Sequence, residues 1–494
     1  MQDGTLLAAV DLGSNSFRLE IGQLRAGHVE RVEYLKETVR LGGGLGEDKA
    51  LSDSVIATGM ACLARFGERL RGFDTSQVRA VATQTLREAR NAQAFVNLGQ
   101  QALGFPIAVV SGTEEARLIY QGVSRLLPPS ENRRLVFDIG GRSTEFVIGQ
   151  GYQAQSMASF RLGSVSWSAR YFANGELSAR HFQNAMTAAQ AILDEGLDQF
   201  APSRWDTALG ASGTVSAVSD VLNLTRDAGG VIRRDDLRWL LQRLIKAKHV
   251  DHVDLPGLKP DRRPVIGGGV SILMAIFDLF ELEELNAAQG ALRQGALYDL
   301  IERDDDQTDV RERTVRHLQQ RFQVDLQQAQ RVSEVAQTLF TQVAKVNRKN
   351  QRYSHKLQWT AMLHEIGALI SHVDAPEHGA YLLAHVDAPG FSMDELSRMS
   401  ELVRAQRGKL KKVENLLSDE LFAKQLFALR LGTLLCHSRR APDMAPLRCS
   451  MSQQSFVLTT SEQWSVQHPQ SMHLLRGEAL QWQKVGWTFE LKMV

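Results

Sequence analysis

The stretch VFDIGGRSTEFVIG, residues 136–149, decides the fold. An apolar run carries Asp138 at its end, a Gly-Gly-Arg-Ser-Thr turn follows, and Glu145 opens a second apolar run. The earlier stretch AAVDLGSNSFRLEIG, residues 8–22, has the same plan. Aligned on Asp11 and Asp138, the turn Gly13, Ser14, Asn15, Ser16 falls on Gly140, Gly141, Arg142, Ser143. Leu19, Ile21 and Gly22 then fall on Phe146, Ile148 and Gly149. Apolar residues alternate after each turn, as in a half-buried strand. Asp138 lies 127 residues after Asp11, about the size of one domain, so the pattern predicts a duplication with two related lobes.

Each copy has the chemistry of a phosphate clamp. A tight Gly/Ser turn points several backbone N–H groups into one concavity, which suits an anion. Glycine lets the backbone approach closely, and Ser14, Ser16, Ser143 and Thr144 add hydroxyl donors. A carboxylate beside phosphate would repel it, and a divalent cation between them turns repulsion into coordination. Mg²⁺, or another divalent cation, takes a few hard oxygen ligands and completes its shell with water and phosphate. Asp138, Glu145 and Asp11 are the candidate metal ligands. Either copy alone also reads as an ordinary β-hairpin; two matching copies favour the clamp.

The chain has 494 residues, too long for one core, with 43% hydrophobic and 23% charged residues, as in ordinary folded proteins. A net charge of +1 gives no whole-protein argument for nucleic acid or membrane, so a polyanion site must come from local clustering. Three distant cysteines without a CxxC argue against a disulfide framework or structural zinc. No stretch reaches about 18 uncharged apolar residues, so no transmembrane segment is expected, and the start lacks a signal-peptide apolar core. The expectation is a cytoplasmic protein.

With DLGSNSF (11–17), VATQTLREARN (81–91), VVSGTEEARLIYQGV (109–123) and DIGGRSTE (138–145), the chain resembles the exopolyphosphatase/guanosine pentaphosphate phosphohydrolase family. RLGSVSW (161–167), LGASGTV (209–215) and QGALRQGALYDL (289–300) continue the resemblance in family order. It implies the actin, Hsp70 and sugar-kinase superfamily, with a two-lobed ribonuclease-H-like α/β core, and it implies a homodimer. One departure is Arg142, where the family commonly has glycine or alanine. If the position needed positive φ, arginine would cost on the order of 1 kcal/mol or more. Arg142 is either a substrate contact or a solvent-facing replacement.

A phosphoanhydride hydrolase needs a base to orient water in line with the terminal phosphorus. In VVSGTEEARLIYQGV a strand ends near Val110 and a helix begins with Ser111 as N-cap. Ser111-x-x-Glu114 reads as a capping box, which gives Glu114 a structural role. Glu115 points about 100° away around the helix and can face a cleft. Glu115 is therefore the candidate general base, and the resemblance implies the same position. The alternative is that both glutamates serve the helix dipole. Arg87 matches the family's phosphate-contacting arginine, with Arg90 and Arg117 as further cationic candidates. LGASGTV, with Gly213, would close the site from the second lobe. VIGGGVSIL (265–273) reads mainly as lobe packing.

A charged linker, ERDDDQTDVRER (302–313), precedes a region of helical periodicity. The expected divisions are two lobes over 1–128 and 129–303, an all-helical HD-like domain over 304–447, and a small β-containing segment over 448–494. AMLHEIG (361–367) is similar to an HD phosphohydrolase motif, but the pair is His364–Glu365 and no clear ligand set completes it. Two basic runs, 345–356 and 404–412, would suit a long polyanion.

The leading function is exopolyphosphatase: Mg²⁺-assisted hydrolysis of the end of inorganic polyphosphate. The alternative is removal of the terminal 5′-phosphate of guanosine pentaphosphate by the same chemistry. A kinase would need adenosine and an acceptor, and a non-catalytic nucleotide sensor would have no use for these acids.

Overall fold

The computed structural model describes residues 1–494 other than 47, 129, 304–307, 348–349 and 494. It divides into two units, Met1–Thr308 and Asp309–Val494. The expected boundary at 303/304 borders residues outside the described ones, and the division after Thr308 falls five residues beyond it. Asp309 caps a helix, Val310–Arg321, so the end of the charged linker is already its first turn.

The first unit is built on two sheets. Strands β1 (Leu6–Leu12), β2 (Ser16–Arg25) and β3 (His28–Thr38) form an antiparallel meander. Helix α1 (Asp53–Arg69) leads to β4 (Val78–Ala82), parallel to β1. Short α2 (Gln84–Glu88), α3 (Ala92–Leu103), β5 (Ile107–Val109) and α4 (Gly112–Ser124) complete the first lobe, with sheet order β3-β2-β1-β4-β5. Helix α1 buries Val55, Gly59, Cys62, Leu63 and Phe66, the three-and-four spacing of an amphipathic helix. β1 is buried along nearly its whole length because it is central, whereas edge strand β3 alternates between solvent and sheet.

The second lobe repeats the plan. Strands β6 (Arg133–Ile139), β7 (Thr144–Gln150) and β8 (Gln153–Phe160) form its meander. Helices α5 (Ser164–Tyr171) and α6 (Ala179–Leu193) precede β9 (Thr207–Ala211), which is parallel to β6 as β4 is to β1. Then come α7 (Gly213–Arg226), β10 (Val231–Arg233), α8 (Arg234–Ala247), α9 (Ile266–Leu279), β11 (Glu284–Ala287) and α10 (Leu292–Glu302). The sheet order is β10-β11-β9-β6-β7-β8. This is the two-lobed ribonuclease-H-like arrangement of actin-like ATPases. The glycine run of α9 serves packing: Gly268 donates to the Ser168 hydroxyl at 3.1 Å, and the helix is buried from Ile266 to Phe277.

The second unit is helical from Val310–Arg321 to Glu420–Leu435, as its periodicity predicts. The last segment carries the expected small β structure, with helices inside it. Strands Arg448–Ser452, Ser455–Thr460 and Thr488–Met493 form one sheet, but two helices, Glu462–Gln467 and Pro469–Gln483, lie between its second and third strands. The segment shares a core with the helices: Phe456 stacks on Phe427 at 4.0 Å and on Trp487 at 5.3 Å. His364 is buried with Nδ1 2.7 Å from the Ala361 carbonyl, and Glu365 pairs with Arg439, so the HD-like pair is spent on structure. Among the described residues no helix is long and apolar enough to cross a membrane. Cys62, Cys436 and Cys449 are all free and buried.

Candidate functional site

The two Gly/Ser turns meet. A Cβ on Gly13 would stand 3.1 Å from the Ser16 carbonyl oxygen, and one on Gly140 would stand 3.0 Å from the Ser143 carbonyl oxygen, the same close approach at equivalent places. A Cβ on Gly141 would lie 3.4 Å from the Ser14 Cβ, so the turns face each other. Their carbonyls are tied outward: Gly42 N–H donates to Ser14 O at 2.7 Å, and Ser164 and Val165 donate to Gly140 O and Gly141 O at 2.9 Å. Among the described residues, no protein acceptor takes the amides of Gly13, Ser14, Asn15, Gly141, Arg142 or Ser143. That is the donor pattern an anion requires. The Thr85 hydroxyl donates to Ser14 Oγ at 2.8 Å and steadies the first turn.

The duplication has diverged in charge. Across the β1–β2 ladder Asp11 faces Arg18, and their side chains pair at 3.1 Å. At the equivalent position of β6–β7, Asp138 faces Glu145, acid opposite acid, which is unfavourable without a cation. Burial first, and then the nearby Glu115 carboxylate, push Asp138 up to about 7. Glu145 is likewise pushed well above the usual carboxylate range, by burial and then by Glu115. Ser159 donates to it at 2.9 Å.

Asp138 and Glu145 are thus hard oxygen donors short of positive charge, and they fit one Mg²⁺ completed by water and phosphate. Asp11 is different. Arg18 and Arg293, at 3.1 and 3.5 Å, already hold it, so it would have to give up these partners to join a metal. Among the described residues no group of three His, Cys, Asp or Glu side chains converges as a ready-made metal site.

Glu115 stands where the local sequence places it. Ser111 caps α4 by accepting from the Glu114 amide at 3.1 Å, while the Glu114 carboxylate grips Arg117, at 2.7 Å from Nε, so its structural role runs through that arginine. Glu115 is buried against Arg87, whose Nη1 donates to Oε2 at 2.7 Å. Burial raises the Glu115 carboxyl and Arg87 draws it back. Arg87 also donates to the Val110 carbonyl at 2.9 Å, which fixes its guanidinium at the end of β5. The other two cationic candidates lie elsewhere. Arg117 is buried between Glu114 and Asp299, and Arg90 pairs with exposed Asp48 at 3.1 Å. Arg142 carries no left-handed strain, since its φ is not positive, and its guanidinium pairs with Glu88 of the first lobe at 2.8 Å.

Three cleft cations escaped the sequence reading. Arg18 and Arg293 flank Asp11, and Arg293 also reaches Glu20 at 3.3 Å and lies 5.2 Å over the Tyr34 ring. Arg262 packs its guanidinium against Gly213, where a Cβ would collide with it. Two columns more of the duplication alignment would have set Arg18 against Glu145. Arg262 leaves no local signal, because a Pro-rich loop 49 residues beyond Gly213 brings it there. Ser212, before Gly213, sits at φ 121° and caps α7 by accepting from Thr214 and Val215. Lys36 of β3 reaches Asp261 in the other lobe at 3.4 Å, bridging the cleft mouth.

The sequence pattern of the Ppx/GppA phosphatase family matches residues 21–304, and that of Ppx/GppA phosphatase domain III matches residues 310–479. The chain is 37% identical over 491 residues to a guanosine-5′-triphosphate,3′-diphosphate pyrophosphatase of Vibrio atlanticus, covering 99% of this chain and 98% of that one. It is 38% identical over 491 residues to the protein of that name from Vibrio cholerae, with the same coverage. A solved exopolyphosphatase from Cytophaga hutchinsonii is similar with a TM-score of 0.54 at 20% identity, over 60% of this chain and 98% of that one, a likeness of fold.

Proposed function

The chain belongs to the Ppx/GppA phosphatase family, and from that premise we propose that it removes the terminal 5′-phosphate of guanosine 5′-triphosphate 3′-diphosphate. The order of the two substrates is thus the reverse of the sequence expectation. Relatives matched nearly end to end carry the nucleotide in their name. Part of the basic runs that favoured a polymer is tied up in ion pairs: Lys412 pairs with Glu377, Arg404 with Glu401, and Lys356 with Glu395 at 3.4 Å. Arg348 and Lys349 lie outside the described residues.

The observation that carries hydrolysis is Glu115, a buried carboxylate beside Asp138 and Glu145 and near two facing phosphate turns. The turn amides hold the phosphate oxygens, and Arg18, Arg262 and Arg293 line the cleft with positive charge. Glu115 accepts a proton from a water in line with the terminal phosphorus. The water oxygen bonds to phosphorus, the bridging P–O bond breaks, and the leaving diphosphate keeps the electron pair. Burial raises the Glu115 carboxyl, which makes it a stronger base, while Arg87 keeps it oriented. Mg²⁺, held by Asp138 and Glu145, would neutralise phosphate charge. The proposal includes the homodimer, checked by sedimentation.

Phosphate release from guanosine pentaphosphate and from long-chain polyphosphate, measured in parallel, tests the reading. A higher kcat/KM on the nucleotide is expected, with Glu115→Gln losing about a hundredfold to ten-thousandfold in kcat. Preference for the polymer would restore the exopolyphosphatase reading. Full activity in Glu115→Gln would remove the base.

A further inference from the structure

Arg142 stands in the second phosphate turn, and its ion pair begins a chain of contacts. Its Nη2 donates to Glu88 Oε2 at 2.8 Å. The other oxygen, Glu88 Oε1, accepts from Gln84 Nε2 at 2.6 Å. The amide oxygen of Gln84 accepts from Arg87 Nε at 3.0 Å. Arg87 Nη1 then reaches Glu115 Oε2 at 2.7 Å. Four successive contacts lead from the phosphate turn of one lobe to the base of the other.

The chain has a direction. Residues 84, 87 and 88 share one face of α2, since three- and four-residue spacings bring helical side chains together. A Gln84 amide turned over would point its NH₂ at a guanidinium and its oxygen at a carboxylate. Glu88 therefore fixes the amide, and the amide fixes Arg87. Arg142 anchors Glu88 from the far side and is itself held by the Gly42 carbonyl at 3.3 Å. Hydrogen bonds from Gln84 and Arg142 outweigh burial and hold the Glu88 carboxyl below its usual range, ionised as the relay requires.

We propose that Arg142, Glu88 and Gln84 are positioning residues for the hydrolytic base, a relay that sets Arg87 and through it Glu115. The inference rests on Glu115 as the base. It gives Arg142 a role that a glycine or alanine cannot fill: the turn that grips phosphate in the second lobe is connected to the base in the first. The base is fully aligned when both lobes are in place.

Steady-state kinetics on guanosine pentaphosphate and on polyphosphate test this for Arg142→Ala, Arg142→Lys, isosteric Glu88→Gln, and the Arg142→Ala/Glu88→Gln double variant. Each relay-breaking single variant is expected to lower kcat about tenfold on both substrates, with KM within about twofold. The double variant should fall no further than the worse single, because the residues act as one unit. Arg142→Lys should recover most of the rate, and the unfolding midpoint should stay near that of wild type. Unchanged kcat, a rise in KM alone, or losses that multiply in the double variant would overturn the relay. Glu115→Gln in the same assay separates the two claims: full activity there overturns the base and the relay together. An inactive Glu115→Gln beside fully active relay variants overturns the relay alone.

Discussion

Ser212 adopts φ 121° and ψ 164°, a backbone state that costs a non-glycine residue on the order of 1–3 kcal/mol. Its hydroxyl offsets this by capping α7 through two amides, so strain and cap oppose each other at one residue. Ser212→Ala, which loses the cap and keeps the strain, should destabilise by about 1–2 kcal/mol in urea unfolding. Ser212→Gly, which loses both, should lie closer to wild type. The next residue bears on binding. Gly213→Ala would drive a methyl into the Arg262 guanidinium, and a rise in KM with kcat little changed is the expected kinetic result. At this scale the sequence was legible where chemistry and spacing coincide. Glu115 was separable from Glu114 by helix geometry, and the acids stood out because aspartate and glutamate are unusual at strand ends beside glycine turns. Arg142 was visible as a departure, but its partner was not, because Glu88 comes from the other lobe.

Helices α4 and α10 cross at glycines on both sides. A Cβ on Gly122 would collide with the Ala291 carbonyl, and one on Gly295 with the Leu118 carbonyl, and backbone cannot yield as a side chain can. Beside this crossing lies a buried ionic cluster: Arg117 contacts Glu114 and Asp299, and Arg303 holds Asp299 at 2.6 Å. Burial alone would raise the Asp299 carboxyl, but Arg303, Arg117 and Arg79 hold it far below the usual range. An acid depressed in the fold stabilises above its unfolded value of about 3.9, and that stability is lost as pH falls. Asp299→Asn should therefore cost about 3–5 kcal/mol at neutral pH by removing the acid that Arg117 and Arg303 share, and the deficit should shrink in acid denaturation. Gly295→Ala should lower both stability and kcat, since α4 carries Glu115. Helix α4 was legible from its Ser111 N-cap, but this crossing was not. QGALRQGALYDL shows its glycines without showing what passes over them.

Over the whole molecule the charge is nearly balanced at +1, so the proposed nucleotide would be drawn by the cleft arginines and not by net charge. Lys409→Ala and Lys411→Ala, on exposed residues of the second unit, should leave kcat/KM on guanosine pentaphosphate within about twofold. A loss confined to polyphosphate would return those lysines to function. The second unit also carries a pH response. Burial pushes the His364 imidazole below its ordinary value. The unfolded histidine takes up a proton below about pH 6.5 while the folded one refuses it, so stability is full above that pH and falls as pH drops. Chemical unfolding at pH 7.5 and 5.5 should show a larger loss for wild type than for His364→Gln. The duplicated lobes were legible because a repeated turn survives 127 residues of intervening sequence. The two helices between the last strands were not, because the alternation of SFVLTT and WTFELKMV drew the whole segment towards β structure.

The three buried thiols have a practical consequence. Burial pushes Cys62 and Cys449 up to about 12 and Cys436 up to about 11, so almost no thiolate is present at neutral pH to react with a maleimide. The native chain is in effect blank to thiol labels. Cysteines introduced at Lys36 and Asp261, on opposite lips of the cleft, would be the reactive pair, and a spin label on each would report lobe separation during turnover without first stripping the natural cysteines.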